Sequence, residues 1–246
     1  MEYEKVERIS TGSFDLNKWL YGGYEKGIVT MIAGSPGSGK TNISILAACS
    51  QAKKGNKVIF IDTEGGFSSD RVKQIVGENY SDILQNILLI TPADFSEQKK
   101  FFTTLNNHLK NEQISLVVVD SMAMLYRLEL GDARQEGGDD TIKDVNREVA
   151  RQMKLLAEIS KNQNIPVIVT NQVYRGYQSE EDWKNGVERE TNIVGGDLLQ
   201  YWSKCIIELK NEKGKRKAIL KKHRSLPEKE MGFEIRNEGI FKKGFL

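Results

Sequence analysis

The sequence predicts an α/β fold: a mainly parallel sheet flanked by helices, finishing in antiparallel strands at the C-terminal end. Three observations predict it. Apolar runs at residues 28–33, 57–61, 116–119 and 166–169 alternate with stretches of helical periodicity. The first run passes through a glycine-rich turn directly into a helix. Beyond residue 200 the helical pattern ends, and short strands joined by turns replace it.

Taken in order, Ser13 is placed to cap a short helix over 14–20, and Tyr21-Gly22-Gly23-Tyr24 reads as a turn into the first strand. The glycine-rich turn is followed by a helix over 42–54, with Ile43, Leu46, Ala47 and Ser50 at helical spacing. A strand over 57–61 ends at Asp62-Thr63-Glu64-Gly65-Gly66, and a helix over 69–78 and a strand over 87–90 follow. Residues 96–110 form an amphipathic helix with Phe101, Phe102, Leu105 and Leu109 inward. The strand 116–119 ends in Asp120. A long helix over 140–162 carries Ile142, Val145, Val149, Met153, Leu156 and Ile159 on one face, and the strand from Pro166 ends at Thr170-Asn171-Gln172. Short strands are expected over 204–209, 217–221, 232–236 and 240–243. The segment 173–194 shows no pattern of either kind, and a loop of that length is usually functional or mobile.

The 246 residues suit one core, and 39% hydrophobic with 28% charged residues is ordinary for a soluble globular chain. No run of some 18 apolar residues exists, so no membrane association is expected. The opening Met1-Glu2-Tyr3-Glu4-Lys5 lacks the character of a signal peptide. Cys49 and Cys205 sit in apolar surroundings and read as core residues, and two histidines cannot assemble a zinc cluster. A reducing, intracellular location is expected.

The chemistry concentrates at the strand ends. Gly34-Ser35-Pro36-Gly37-Ser38-Gly39-Lys40-Thr41 matches the loop that wraps nucleotide phosphates. Its glycines let backbone N–H groups close on phosphate, and the following helix, opening at Asn42, points its positive end there. Lys40 would reach the outer phosphates, and the Thr41 hydroxyl would take one position on Mg²⁺. Ligands of such sheets lie beyond the carboxyl ends of the strands. Asp120 is the carboxylate expected to hold Mg²⁺ through water. Glu64 is the expected general base for an attacking water. Gln172 is placed to sense the γ-phosphate and pass the signal to 173–194.

In combination and order, Ile61-Asp62-Thr63-Glu64-Gly65-Gly66-Phe67 with Arg71, Val119-Asp120-Ser121 with Leu125-Tyr126-Arg127, and Thr170-Asn171-Gln172-Val173 resemble the RecA-like recombinases of archaea and eukaryotes. The resemblance covers residues 8–242. It implies a RecA-like P-loop ATPase core using ATP and Mg²⁺, with Glu64 the catalytic glutamate, Lys40 and Gln172 at the phosphates, and Arg71 packing on the adenine. It implies that residues 127–140 and 173–194 face single-stranded DNA. It also implies that the strand ending at Gln172 lies between the glycine-loop strand and the Asp120 strand. The core begins almost at residue 1, and no phenylalanine has Ala three residues later. Both features narrow the resemblance to the short archaeal paralogues, without the N-terminal lobe and docking hook of the full recombinases. Membership there implies a DNA-binding accessory factor with weak ATP turnover and no strand exchange. It also implies single-stranded or branched DNA, the main recombinase and a Holliday-junction resolvase as partners, and a cytoplasmic, nucleoid-associated location. A DNA-dependent recombinase ATPase and a RecA-fold signalling ATPase are the competing readings.

Charge favours the accessory reading. Residues 127–140 hold Arg127 and Arg134 against Glu129, Asp132, Glu136, Asp139 and Asp140. Residues 173–194 hold Arg175, Lys184 and Arg189 against five acidic residues. Phosphate binding draws its free energy from cations that replace condensed counterions, so acidic loops oppose it. Residues 210–224 are the reverse: Lys210, Lys213, Lys215, Arg216, Lys217, Lys221, Lys222 and Arg224 against Glu212 alone. DNA is therefore expected on this late hairpin, at Lys215, Arg216, Lys217, Lys222, His223 and Arg224. Arg127, Arg175, Tyr174 and Tyr177 are the expected secondary contacts. In a homo-oligomer, Lys222 and Arg224 would instead be placed to reach a neighbour's γ-phosphate.

Overall fold

A computed structural model describes residues 6–135, 138–176 and 191–244. The chain opens with β1 (Arg8–Ile9), α1 (Phe14–Trp19) and β2 (Tyr24–Glu25), and β2 pairs antiparallel with β1. The Ser13 hydroxyl accepts from the Leu16 N–H to cap α1 and donates to the Ile240 carbonyl at 2.6 Å, tying this lead-in to the far end of the chain. There follow β3 (Val29–Gly34), α2 (Lys40–Ala52), β4 (Lys57–Asp62), α3 (Ser69–Val76), α4 (Tyr80–Leu84) and β5 (Ile87–Ile90). Next come α5 (Phe95–Asn111), β6 (Ile114–Asp120), α6 (Met124–Gln135), α7 (Asp139–Gln163) and β7 (Val167–Asn171). The remainder is β8 (Val173–Arg175), β9 (Thr191–Ile193), α8 (Gly196–Gln200), β10 (Ser203–Glu212), β11 (Lys215–His223), β12 (Lys229–Arg236) and β13 (Gly239–Lys242).

Nine strands form one sheet in the order β13-β12-β11-β10-β3-β7-β6-β4-β5. From β10 to β5 every pairing is parallel; from β10 to β13 every pairing is antiparallel. β7 lies between β3 and β6, as the resemblance implies. The apolar strands read as unbroken runs because both faces are covered. On β4, Val58 and Phe60 pack against α2, α3 and α4, while Ile59 and Ile61 face the layer of α5, α6 and α7. The α7 stripe Val145, Val149, Met153, Leu156 and Ile159 is buried as its spacing predicts, each side chain contributing about 1.5–3 kcal/mol.

Two expectations fail here. Residues 127–140 are not a loop: α6 runs to Gln135 and α7 starts at Asp139, with 136–137 outside the described residues. Leu125, Tyr126 and Ala133 bury one side of α6 while Arg127, Glu129 and Asp132 stay on the exposed side, and this narrow apolar stripe suffices once α7 packs alongside. Nor is 173–194 irregular throughout. Its ends pair as the β8–β9 ribbon, with Val173 opposite Ile193 and Arg175 opposite Thr191. Residues 177–190, with Tyr177, Lys184 and Arg189, lie outside the described residues. Cys49 and Cys205 are buried free thiols, each pushed up to about 12 by burial. Among the described residues no helix is long and apolar enough to cross a membrane.

Candidate functional site

The turn between β3 and α2 carries residues 34–41, and Gly34 and Gly39 are there for space. A Cβ on Gly34 would lie 2.6 Å from Ser38 Oγ and 2.7 Å from the Leu209 carbonyl. Gly39, with φ +111°, caps α2 without a side-chain hydrogen bond, and a Cβ there would lie 2.9 Å from Ile235 Cδ1. Lys40 is 5% exposed, and its ammonium donates to the carbonyls of Gly34 (2.9 Å) and Ser35 (3.1 Å) and to Gln172 Oε1 (3.3 Å). Burial holds its pKa below the ordinary lysine value, with the Glu64 and Asp120 carboxylates opposing the shift.

The parallel register brings three distant strand ends to this loop. β4 pairs with β6 so that Asp62 stands opposite Asp120, and β7 pairs with β3 up to Asn171 opposite Ala33. Asp62 accepts from the N–H groups of Glu64, Gly66 and Phe67 and so shapes the turn that presents Glu64. The Glu64 carboxylate accepts from the Ser121 hydroxyl at 2.6 Å and from Gln172 Nε2 at 3.1 and 3.3 Å. The Gln172 amide thus spans the site, its oxygen on Lys40 and its nitrogen on Glu64. Its backbone carbonyl accepts from the Val194 N–H (3.0 Å), and Asn171 Nδ2 donates to the Val194 carbonyl (2.8 Å). Both ends of segment 173–194 are therefore fastened beside the amide that touches Lys40 and Glu64.

Asp120 is fully buried. Thr170 Oγ1 donates to its Oδ1, while among the described residues no hydrogen bond of ordinary geometry reaches Oδ2. Burial raises its pKa, the Thr170 and Thr41 hydroxyls pull it down, and Glu64 and Asp62 push it further up. A buried carboxylate oxygen without such a bond, next to the Thr41 hydroxyl, has the donor chemistry that a hard divalent cation requires. Sequence reasoning missed Asp62, Thr170 and Ser121 as parts of this site. Ser121 stood directly after Asp120 and was legible; Thr170 had only its polarity within an apolar run.

The other expected residues are dispersed. Arg71 is on α3, and its guanidinium donates to the carbonyls of Arg236 (2.9 Å) and Asn237 (3.0 Å) at the β12–β13 turn, with burial lowering its pKa. Asn42 lies in the first turn of α2 and Arg127 on the exposed side of α6. The basic tail is not one patch. β10 runs parallel to β3, so Lys215, Arg216 and Lys217 start β11 at the phosphate-loop edge, while Lys222, His223 and Arg224 end near the opposite edge. Nine residues of strand put roughly 27 Å between the two ends.

At that opposite edge His223 and Arg224, expected as DNA contacts, meet a carboxylate of the chain itself. The His223 side chain is 4% exposed, with Nε2 3.5 Å from the buried Glu25 carboxylate, and its Nδ1 accepts from the N–H groups of Ser225 and Leu226. Arg224 pairs with the same carboxylate, and Arg8 lies 3.8 Å from it. Lys222 donates to the Gln200 carbonyl. The buried Glu25 carboxylate draws Arg8 and Arg224 inward because opposite charge offsets its desolvation. The sequence shows the tail's charge but not Glu25, some two hundred residues upstream.

A glycine-rich phosphate loop between the central strand and α2, with carboxylates and an amide converging on it from neighbouring strand ends, defines a RecA-like ATP-binding core. The comparisons agree. The Rad51 family profile matches residues 2–243. The chain is 41% identical over 243 residues to the DNA repair and recombination protein RadB of Methanobrevibacter smithii, covering 97% of each chain. It is 42% identical over 225 residues to that of Methanocaldococcus jannaschii, covering 92% of this chain and 98% of the relative. A solved structure described as the RadB recombinase aligns with a TM-score of 0.73 and 32% identity, covering 94% of this chain and 98% of that one. The chain belongs to the RadB group of the Rad51 family of DNA repair and recombination proteins.

Proposed function

We propose that this chain, acting as one ATPase core, is an ATP- and DNA-binding accessory protein of homologous recombination, with weak ATP turnover and no strand exchange of its own. The observation that carries the nucleotide reading is the linked set Lys40–Gln172–Glu64–Ser121 beside the buried Asp120 Oδ2. On this reading Lys40 exchanges the Gly34 and Ser35 carbonyls for the outer phosphates, and residues 34–39 with Asn42 enclose the rest. Thr41 and Asp120 would hold Mg²⁺, which offsets phosphate charge when bound. Glu64, held by Ser121, orients water, and Gln172 reports the phosphate to segment 173–194. Arg71 borders the adenine end through the β12–β13 turn.

The acidic, exposed side of α6 supports the accessory role, since a surface bearing Glu129 and Asp132 opposes the capture of a phosphate backbone. DNA is assigned chiefly to Lys215, Arg216 and Lys217, with Arg127, Arg175 and Lys222 secondary. The main recombinase and a junction resolvase are the proposed partners. A second reading, a DNA-driven ATPase, has the direct Gln172–Glu64 contact in its favour. ATP turnover with and without single-stranded DNA, measured beside strand exchange, separates the two. Strong stimulation with exchange overturns the accessory role. Replacing Lys215, Arg216 and Lys217 by Ala is expected to weaken DNA binding and flatten its salt slope; an unchanged slope moves DNA elsewhere.

A further inference from the structure

The Asn211 side chain hydrogen-bonds both the basic hairpin and the phosphate loop. The carboxamide of Asn211 uses both ends: Oδ1 accepts from the Gly214 N–H at 3.2 Å, and Nδ2 donates to the Gly37 carbonyl at 3.3 Å. The first bond fastens the hairpin tip, where Lys213 and Gly214 both take positive φ (50° and 84°). The second fastens the middle of the phosphate loop, at a glycine with φ +72° and nothing within 4 Å of where a Cβ would stand. Below the bridge the contact continues through backbone, because β10 pairs with β3 up to Leu209 opposite Gly34. Around the tip stand Lys213, Lys215 and Arg216, while Lys217 is held by Glu230 at 3.1 Å.

We propose that Asn211 is a positioning residue that couples a polyanion on the hairpin tip to the shape of the phosphate loop. The inference rests on the readings of residues 34–41 as the nucleotide site and of the hairpin as the DNA face. One short amide serves both partners, so displacement of the tip is delivered to the Gly37 peptide. A triphosphate that re-aims the Gly37 peptide is delivered to the tip in turn. Thermodynamic linkage requires the two effects to be equal: whatever factor DNA applies to nucleotide affinity, nucleotide applies to DNA affinity.

The test measures binding of a fluorescent ATP analogue to the full chain with Mg²⁺ at fixed salt, with and without saturating oligothymidylate. In the unmodified protein DNA is expected to change the nucleotide Kd by about fivefold. Asn211→Ala brings that ratio to within about twofold of one, while the melting temperature and DNA affinity change little. Asn211→Asp is the sharper variant, since its carboxylate still accepts from Gly214 but cannot donate to Gly37. Loss of the ratio in both variants is the expected result. Retention in Asn211→Asp assigns the effect to the tip alone and overturns the proposal, as does a ratio of one in the unmodified protein. Absence of nucleotide binding in the unmodified protein sinks the nucleotide reading too, and so is told apart from failure of the coupling alone.

Discussion

At the carboxyl edge of the sheet, among the described residues, the buried Lys40 ammonium meets only uncharged oxygens within hydrogen-bonding distance, and no hydrogen bond of ordinary geometry reaches Asp120 Oδ2. At the amino edge, Glu25 is equally buried, yet Arg8, His223 and Arg224 surround it. Both edges hold charge away from water. At the amino edge the opposite charges are paired directly, whereas at the carboxyl edge Glu64 and Asp120 act on Lys40 without an ion pair. Buried charge without a charged partner costs free energy, and a fold carries that cost where a ligand supplies the partner.

Substitutions at the two edges should therefore separate stability from binding. The largest effect is expected from Glu25→Ala, which strands three basic groups and should cost about 3 kcal/mol in urea unfolding, with ATP affinity little altered once folded. A stability change below 1 kcal/mol would erase the contrast. Lys40→Ala should do the reverse, weakening ATP binding roughly a hundredfold with a small change in melting temperature. Calorimetric titration reads the first and a thermal melt the second.

Asp120→Asn gives a smaller, opposite sign. The folded state holds the Asp120 pKa above its ordinary value, so the protonated form is favoured. Stability from this group is present at acid pH and is lost as pH rises through the raised pKa. Burial disfavours the ionised form, so the isosteric amide should stabilise the ligand-free protein by about 1 kcal/mol. It should also abolish the added stability that Mg²⁺ with ATP confers. Destabilisation without ligand would mean that the carboxylate serves the fold.

The smallest effect concerns His223. Burial lowers its pKa, while Glu25 pulls upward and Arg8, Arg224 and Lys229 push down. The geometry agrees, because a proton on Nδ1 would cost the bonds from Ser225 and Leu226. A folded pKa below the unfolded one means that stability is full above about pH 6.5 and is lost as pH falls through the folded value. His223→Asn, whose Oδ1 can accept in place of Nδ1, should flatten that acid loss, a change of about 1 kcal/mol read from melts between pH 7 and 5. An unchanged pH slope would remove His223 from the account.

Strand positions were legible because a strand covered on both faces is an uninterrupted apolar run, as at Val117, Val118 and Val119. The phosphate loop was legible because its glycines are spaced for the loop's own geometry. Helix α6 was not, since only Leu125, Tyr126 and Ala133 are buried on it and its polar side resembles a loop. The tail misled in another way: most of its charges lie on β11, and that strand crosses the sheet from edge to edge.

The sequence by itself determined the strands of the main sheet and most of the helices around it, the phosphate loop and the residue types standing at strand ends, because these depend on local spacing. Only the tertiary structure decided which polar groups meet: Gln172 between Lys40 and Glu64, Ser121 on Glu64, Asn211 on Gly37, and Glu25 beneath His223 and Arg224. Those contacts join residues up to 199 positions apart, and sheet register, which no local pattern encodes, brings them within hydrogen-bonding distance.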